Sequence, residues 1–275
     1  MSDAMLEKLV RFQQPGRALG FARELTDQTL AAIFGTDEES YRATLAELEA
    51  QRTSAVSILA ADPVVRADLL GAPFEEGAHI VAVGESTTAD RLSWFEILHA
   101  LFDAERPELH LRFDNLAITG ATTTQVLAGV PNIRRQAADW VFCMLGSNDS
   151  QRFGSPDGPQ LVTRAETLRN LRELRARSLP GENSRWVWVT PTPVEESLVI
   201  AFPFFHAAGI TWTNADLTDL SVAYSQMDDR VVDSAPAVAA AGDHAFIEDG
   251  VHPSLATQTA LASLVLAALN NSAAG

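Results

Sequence analysis

The sequence predicts an α/β fold in which helices cover both faces of a parallel β-sheet, preceded by a helical region. Three observations predict this fold. From Ala78 onward, short apolar runs alternate with helix-length segments, which is the pattern of repeated βα units. Before about residue 72, apolar residues recur at helical spacing and no strand-like run occurs. The chain has 275 residues, 47% of them hydrophobic, which is enough for a large packed core.

The N-terminal region, residues 1–72, is predicted to be helical throughout. Its helices are separated by breaks at Pro15-Gly16, Gly35-Thr36-Asp37 and Asp62-Pro63. Aspartate is a favoured N-cap residue, so the last two breaks predict helix starts. The stretch over residues 71–77 is rich in glycine and acidic residues and predicts a linker. We therefore expect two regions, a helical one over 1–72 and an α/β domain over 73–275.

Five strands and five helices are expected after the linker. The predicted strands are His79–Val83, His110–Ile118, Trp140–Leu145, Trp186–Thr190 and Arg230–Asp233. The predicted helices lie at roughly 87–104, 122–130, 160–178, 214–227 and 254–270. In open parallel sheets the ligand site lies at the carboxyl ends of the strands. Polar residues that follow the predicted strands are therefore the candidates for function.

Four segments at or near this edge carry groups suited to one reaction. Ser86 follows the first strand, Gly120 the second and Asn148 the third, while Asp249 and His252 precede the last helix. A serine hydroxyl needs a base within hydrogen-bond reach, and that base needs a carboxylate to fix its tautomer. Ser86, His252 and Asp249 can fill these three roles, because one compact turn can hold the aspartate and the histidine.

Acyl transfer also requires donors that point to the developing oxyanion. The candidates are the backbone N–H of Ser86, the backbone N–H of Gly120 and the side-chain amide of Asn148. The helix after Ser86 is expected to add the positive end of its dipole. Pro253 fits the first turn of the last helix, which we expect to hold the Asp249–His252 turn in place.

These residues resemble the SGNH hydrolases of the GDSL esterase/lipase superfamily, whose name corresponds to Ser86, Gly120, Asn148 and His252. The similar segments are Ile80–Thr88, Asn115–Gly120, Leu145–Asp149 and Asp249–Pro253. The resemblance covers about residues 78–270 and implies a flavodoxin-like three-layer α/β/α fold with a five-stranded parallel sheet. It also implies ester hydrolysis through an acyl-serine intermediate, without a metal or another cofactor. The family usually has aspartate before the nucleophile, where this chain has Glu85, and that acid mostly shapes the loop.

We therefore expect a carboxylester hydrolase that acts on a short-chain acyl or acetyl ester of a small molecule or carbohydrate. A short acyl group is favoured because no long apolar run predicts a lipid-binding lid. Two alternatives stay open at this point. One is an acyltransferase that uses the same site, and the other is a catalytically silent binding protein on the hydrolase scaffold.

Other polar residues near the motifs have less specific explanations. Asp149 is expected to cap the helix after the third strand. His244 follows Asp243, but neighbours in an extended segment point apart and are poorly placed to bond each other. His206 follows the aromatic run 202–205, whose rings either line an acyl or leaving-group pocket or pack in the core.

Composition limits the partners and the compartment. The 36 acidic and 20 basic residues give a net charge of −16, which argues against nucleic acid or an anionic membrane as partner. The single cysteine, Cys143, excludes an intramolecular disulfide, and no segment is typical of a signal peptide or a membrane span. We expect a cytoplasmic protein with a small-molecule ester as substrate. The N-terminal helices could serve as a lid, a docking module or the interface of a homo-oligomer.

Overall fold

The computed structural model describes residues 2–19, 22, 25–179 and 184–270. Residues 1, 20, 21, 23 and 24 of the predicted helical region lie outside the described residues, as do residues 180–183 and 271–275 of the predicted α/β domain. Among the described residues, no helix combines the length and the apolar character needed to cross a membrane.

A five-stranded parallel sheet forms the centre of the molecule. Its strands are β1 (His79–Gly84), β2 (Arg112–Asn115), β3 (Trp140–Met144), β5 (Arg185–Val189) and β7 (Arg230–Val232). They lie in the order β2-β1-β3-β5-β7, so the first strand pairs with the second on one side and the third on the other. This is the flavodoxin-like order, and it confirms the predicted sheet. Two short strands, β4 (Arg152–Phe153) and β6 (Ile210–Thr211), form a separate antiparallel pair.

Helices precede the sheet and follow its strands. Those of the N-terminal region are α1 (Asp3–Phe12), α2 (Pro15–Ala18), α3 (Asp27–Ile33), α4 (Glu38–Ala61) and α5 (Pro63–Gly71). The next are α6 (Ser86–Ala89), α7 (Trp94–Glu105), α8 (Thr123–Ala128), α9 (Val130–Arg135), α10 (Ser147–Ser150) and α11 (Arg164–Ser178). The last are α12 (Glu196–Ala201), α13 (Pro203–Ala208), α14 (Asn214–Tyr224), α15 (Ala235–Ala241) and α16 (Leu255–Asn270), and 3₁₀ turns occupy Pro107–Leu109 and Gly242–His244.

The aspartates expected to start two helices do so. The Asp37 carboxylate accepts a hydrogen bond from the Ser40 N–H at the start of α4. The Asp62 carboxylate accepts one from the Val64 N–H at the start of α5. Each bond satisfies a backbone donor that has no partner within the helix.

Alternating side chains of the strands build a core on each face of the sheet. On β1, Ile80 and Ala82 pack with α7 and α16, whereas Val81 and Val83 face the opposite core. The first core also includes apolar side chains of α4 and α5, so the N-terminal helices add to this layer. On the other face, Cys143 lies in the core with residues of α9, α11 and α14, and burial raises the pKa of its thiol. The result is the three-layer arrangement.

Several predicted elements differ from the structure. The helix expected over 122–130 ends at Ala128 and a second helix, α9, follows it, whereas α10, α12, α13 and α15 were not predicted. The helix expected over 87–104 is divided into α6 and α7, because the chain turns between them and Ser93 starts a new helix by accepting from the Glu96 N–H. The strand expected over 110–118 is shorter. The side-chain oxygen of Asn115 accepts from the Ala117 N–H, which turns the backbone at the end of β2.

Candidate active site

The turn from Asp249 to His252 holds a carboxylate and an imidazole in direct contact. Asp249 Oδ2 lies 2.8 Å from His252 Nδ1. Its other oxygen, Oδ1, accepts hydrogen bonds from the backbone N–H groups of Val251 at 3.0 Å and His252 at 2.9 Å. The aspartate is buried, whereas the histidine is only partly buried. This geometry fixes the ring orientation and leaves Nε2 as the nitrogen that can exchange a proton.

A short antiparallel bridge holds the turn, which corrects the role predicted for Pro253. Helix α16 begins at Leu255, so the proline precedes its first turn. Phe246 and Pro253 form the bridge, and the Ile247 N–H donates to the His252 carbonyl at 2.9 Å. The turn is therefore closed on itself, because its two ends pair before the helix starts.

The electrostatic environment favours an ionised Asp249. Burial alone would raise the pKa of this carboxyl, but hydrogen bonds from His252, the charge of the imidazole and a bond from Lys8 together hold it well below its usual value. A negative charge is therefore present beside the imidazole across the neutral pH range.

Ser86 lies at the first position of α6, directly after β1. Within the described part of the chain, its backbone N–H donates no hydrogen bond, and its hydroxyl makes none with His252. Helix α6 has only four residues. Its dipole at Ser86 is therefore smaller than that of the long helix expected over 87–104. The serine and histidine are on neighbouring segments, since Gln258 of α16 donates to the carbonyl of Thr87.

Gly120 and Asn148 present further N–H groups near the carboxyl edge of the sheet. Gly120 has φ +78°, a backbone conformation that residues with a side chain rarely adopt. Its N–H has no acceptor among the described residues. One N–H of the Asn148 amide donates to the Ala121 carbonyl at 3.1 Å. That bond orients the amide, whose side chain also interacts with the Glu85 carboxyl group.

Glu85 joins the loop of Ser86 to the loop of Asn148. Its two carboxyl oxygens accept from the Ser147 N–H at 2.9 Å and the Asn148 N–H at 3.0 Å. The longer side chain therefore reaches the loop that it was expected to shape. Burial raises the pKa of Glu85 to about 8, with the Asn148 backbone bond opposing and the charge of Asp149 adding to the shift.

Asp149 has a different role from the one predicted. Rather than capping the helix after β3, it accepts from the backbone N–H and the hydroxyl of Thr123, at the start of α8. It also accepts from the Thr167 hydroxyl of α11 at 3.0 Å. Burial raises the pKa of Asp149, and the bonds from Thr123 and Thr167 oppose that effect. This carboxylate joins two helices.

His206, His244 and the aromatic run over residues 202–205 lie outside the Asp249–His252 turn. His206 and His244 are exposed. Phe205 packs 5.0 Å from Trp212 between ring centroids, beside a cluster that includes Val251. This ring belongs to the packing behind the turn, which was one of the two explanations for the run.

An apolar cavity of about 280 Å³ adjoins the Gly120 loop. Its walls come from the end of β1, the loop after β2, α8 and α9, and include Val83, Ile118, Val126 and Ile133. Pockets for small molecules usually range from roughly 300 to 1,000 Å³, so this cavity suits a small group.

Helix α1 also contributes to the site, which no motif in the sequence predicts. Lys8 Nζ donates to Asp249 Oδ2 at 2.9 Å, and the Phe12 ring lies 4.5 Å from the His252 ring between centroids. The one available signal was compositional, because Lys8 is the only lysine among 20 basic residues. Its contact with a residue 241 positions away has no local pattern.

The sheet topology, with an Asp–His pair and N–H donors at its carboxyl edge, defines an α/β hydrolytic enzyme. The GDSL-like Lipase/Acylhydrolase family model matches residues 82–260, which is more than half of the chain. The chain therefore belongs to this family and is a carboxylester hydrolase. No curated protein matches the sequence.

Several solved structures share the fold. A catalytic mutant of Axe2, an acetylxylan esterase from Geobacillus stearothermophilus, is 21% identical with a TM-score of 0.53, and the alignment covers 72% of this chain and 96% of that one. LAE5, an α/β hydrolase enzyme from the metagenome of Lake Arreo, Spain, is 22% identical with a TM-score of 0.52, covering 72% and 99%. TesA is 20% identical with a TM-score of 0.51, covering 70% and 97%. At these identities the similarity shows the fold.

Proposed function

We propose that the protein hydrolyses a short-chain acyl or acetyl ester of a small molecule or carbohydrate, with Ser86 as nucleophile. The observation that carries this proposal is the 2.8 Å contact between Asp249 and His252 Nδ1, which leaves Nε2 for proton transfer. The segment of Ser86 is adjacent, and Glu85 links it to the loop of Asn148.

The reaction proceeds in two halves. Ser86 Oγ attacks the carbonyl carbon while its proton passes to His252 Nε2, and the carbonyl oxygen becomes an oxyanion. The backbone N–H groups of Ser86 and Gly120 and the side-chain amide of Asn148 stabilise that charge. The bond to the leaving oxygen breaks as His252 returns the proton, which releases an alcohol and leaves an acyl-Ser86. Water then attacks the acyl carbon while its proton passes to His252 Nε2. The bond between the acyl carbon and Ser86 Oγ breaks, the proton returns to Oγ, and the carboxylic acid is released.

Two further observations support the choice of acyl group and catalytic pair. The cavity beside Gly120 is small and apolar, which suits a short acyl chain. Two of the Axe2 structures are of catalytic mutants, one at an aspartate and one at a histidine three positions later. Asp249 and His252 have this spacing, and that protein is described as an acetylxylan esterase.

The test uses 4-nitrophenyl esters from acetyl to dodecanoyl with wild-type protein and Ser86→Ala. We expect the wild-type kcat/KM to be highest for the shortest chains, and Ser86→Ala to lower kcat by about 10³-fold or more. A fluorophosphonate probe should label the wild type at Ser86, located by peptide mass spectrometry.

The matched control is Ser57→Ala, which removes an exposed serine hydroxyl of α4. It should retain both activity and labelling. Unchanged hydrolysis in Ser86→Ala would refute the role of the nucleophile, and a maximum at long chains would refute the acyl preference. Folded protein that neither hydrolyses these esters nor reacts with the probe would instead indicate a binding protein.

A further inference from the structure

Lys8 makes three interactions at the edge of the candidate site. Its Nζ donates to Asp249 Oδ2 and to Glu248 Oε1, each at 2.9 Å, and lies 4.5 Å from the centroid of the Phe202 ring. About a quarter of the Lys8 side chain is exposed, whereas the Asp249 side chain is almost completely buried. The ammonium group is thus held by two carboxylates and an aromatic face.

This contact completes the hydrogen bonding of the Asp249 carboxylate. Oδ1 accepts from two backbone N–H groups, and Oδ2 accepts from both His252 Nδ1 and Lys8 Nζ. Each oxygen therefore has two partners, so neither can rotate away without breaking bonds. Because the carboxylate is buried, the positive charge of Lys8 also offsets the cost of keeping it ionised away from water.

Helix α1 is joined to the site at three more points. Arg11 binds the buried carboxylate of Asp90 through Nε at 2.8 Å and Nη2 at 2.7 Å, and it also donates to the Pro253 carbonyl at 3.3 Å. It therefore connects the segment after Ser86 with the end of the Asp249–His252 turn. The Thr119 hydroxyl, next to Gly120, donates to the Phe12 carbonyl. Helix α1 is therefore bound to the segment after Ser86, to the Asp249–His252 turn and to the Gly120 loop. A helix held at these three places cannot open as a lid without breaking all of these contacts.

From these contacts we infer that Lys8 is a positioning residue, which orients Asp249 and through it His252, and that α1 is a fixed wall of the active site. The Phe12 ring lies 4.5 Å from the imidazole between centroids and limits the space in which the imidazole can rotate. The inference rests on the proposed function, and it assigns part of that site to the N-terminal region.

The test compares Lys8→Met, which removes the charge, with Lys8→Arg, which keeps it. We expect Lys8→Met to lower kcat by up to about 10²-fold through misplacement of the base, with KM within about twofold of the wild type. Lys8→Arg should recover most of that loss. The control is Arg66→Met, an exposed cation of α5 without a side-chain partner among the described residues. It should leave kcat and KM unchanged.

An equal kcat in Lys8→Met and the wild type would overturn the inference, and so would a loss that Lys8→Arg fails to recover. If Lys8→Met does not fold, cyanate carbamylation of the folded wild type removes the same charge. The chain has no other lysine, and Lys8→Arg treated in parallel controls for carbamylation of the N-terminal amine. Carbamylation should lower kcat in the wild type and spare Lys8→Arg. Full kcat after carbamylation, with the modified Lys8 peptide seen by mass spectrometry, would also overturn the inference.

Failure of this inference is separable from failure of the proposed function. Ser86→Ala is measured in the same assays as the Lys8 variants. If Ser86→Ala is inactive and Lys8→Met is fully active, the hydrolase assignment stands and only the role of Lys8 is refuted. If Ser86→Ala is as active as the wild type, the proposed nucleophile itself is wrong.

Discussion

At the residue scale, Glu85 is a buried carboxyl group that connects two loops of the site. It accepts backbone hydrogen bonds from Ser147 and Asn148, and its position next to Ser86 places it between nucleophile and amide. Burial raises the pKa of Glu85 to about 8, so the group is mostly protonated at neutral pH. We therefore expect the titration of Glu85 to make the free energy of unfolding depend on pH.

Glu85→Gln should change that pH dependence. Glu85 titrates near 4.5 in the unfolded chain and near 8 in the folded chain. Between these values the folded chain retains a proton that the unfolded chain has lost, so the free energy of unfolding falls as pH rises, by up to about 1.4 kcal/mol per pH unit. We expect a smaller fall in Glu85→Gln, measured by urea denaturation from pH 5 to 8.

The control for this comparison is Glu105→Gln, because Glu105 is an exposed acid at the end of α7. The free energy of unfolding of Glu105→Gln should change with pH as that of the wild type does. Parallel curves for Glu85→Gln and the wild type would contradict the protonation of Glu85 in the folded chain.

The sequence could indicate some contacts of the site but not others. Asp249 and His252 are three positions apart, so a single turn brings them together and their spacing carries the information. Lys8 reaches Asp249 only after α1 docks on segments that follow it by about 80 to 240 positions. That docking depends on the packed shape of the whole fold, and no short pattern records it.

At the scale of elements, the turn from Asp249 to His252 depends on its glycine. Gly250 has φ +72°, and a Cβ atom there would lie 2.6 Å from the Glu195 carbonyl oxygen and 2.7 Å from Leu198 Cβ. The backbone of α12 and the segment before it therefore packs directly on the turn. No residue with a side chain fits without a shift in one of the two.

Gly250→Ala should reduce both activity and stability. The left-handed backbone alone costs an alanine about 1–2 kcal/mol. Gly35→Ala is a matched control, with φ +69° and no atom within 4 Å of the added Cβ. We expect the control to lose only the backbone contribution and to keep kcat, whereas Gly250→Ala loses more stability and also kcat. Equal losses in the two variants, from thermal unfolding and ester hydrolysis, would contradict the packing argument.

Elements with continuous apolar patterns were predictable, and their interruptions were not. The strands β1, β3, β5 and β7 lie within about one residue of their expected bounds, because buried parallel strands are apolar on both faces. The division between α6 and α7 and the early end of β2 depend on polar side chains that bond nearby backbone. The same residues also fit a continuing helix or strand, so the sequence gives no clear boundary.

At the scale of the whole molecule, the N-terminal helices share a core with the α/β layers. Val65 and Leu69 of α5 and Leu59 of α4 are buried in the cluster that contains α16 side chains and strand residues. Burial of a few such side chains contributes a free energy comparable to the whole stability of a domain, which is about 5–15 kcal/mol. We therefore expect the two predicted regions to unfold together.

Two neighbouring valines of α5 provide the test. Val65 is 3% exposed and Val64 is 68% exposed. All five tryptophans follow residue 72, and Trp186 and Trp188 lie in the core on the face of the sheet opposite α5, so their fluorescence reports unfolding of the α/β domain. Val65→Ala should lower the free energy of unfolding measured by this signal by about 1–3 kcal/mol, and Val64→Ala by less than about 0.5. An unchanged tryptophan transition in Val65→Ala would show that the regions unfold separately.

The contact between Lys8 and Asp249 has a consequence for synthesis. The two residues are 241 positions apart. At a synthesis rate of about 5–20 residues per second, Asp249 is therefore made about 10 to 50 s after Lys8. During that time Leu6, Val10 and Phe12, which are buried in the finished protein, have no partner from the C-terminal segment. The nascent chain therefore carries an incomplete site until the Asp249–His252 turn and α16 have left the ribosome.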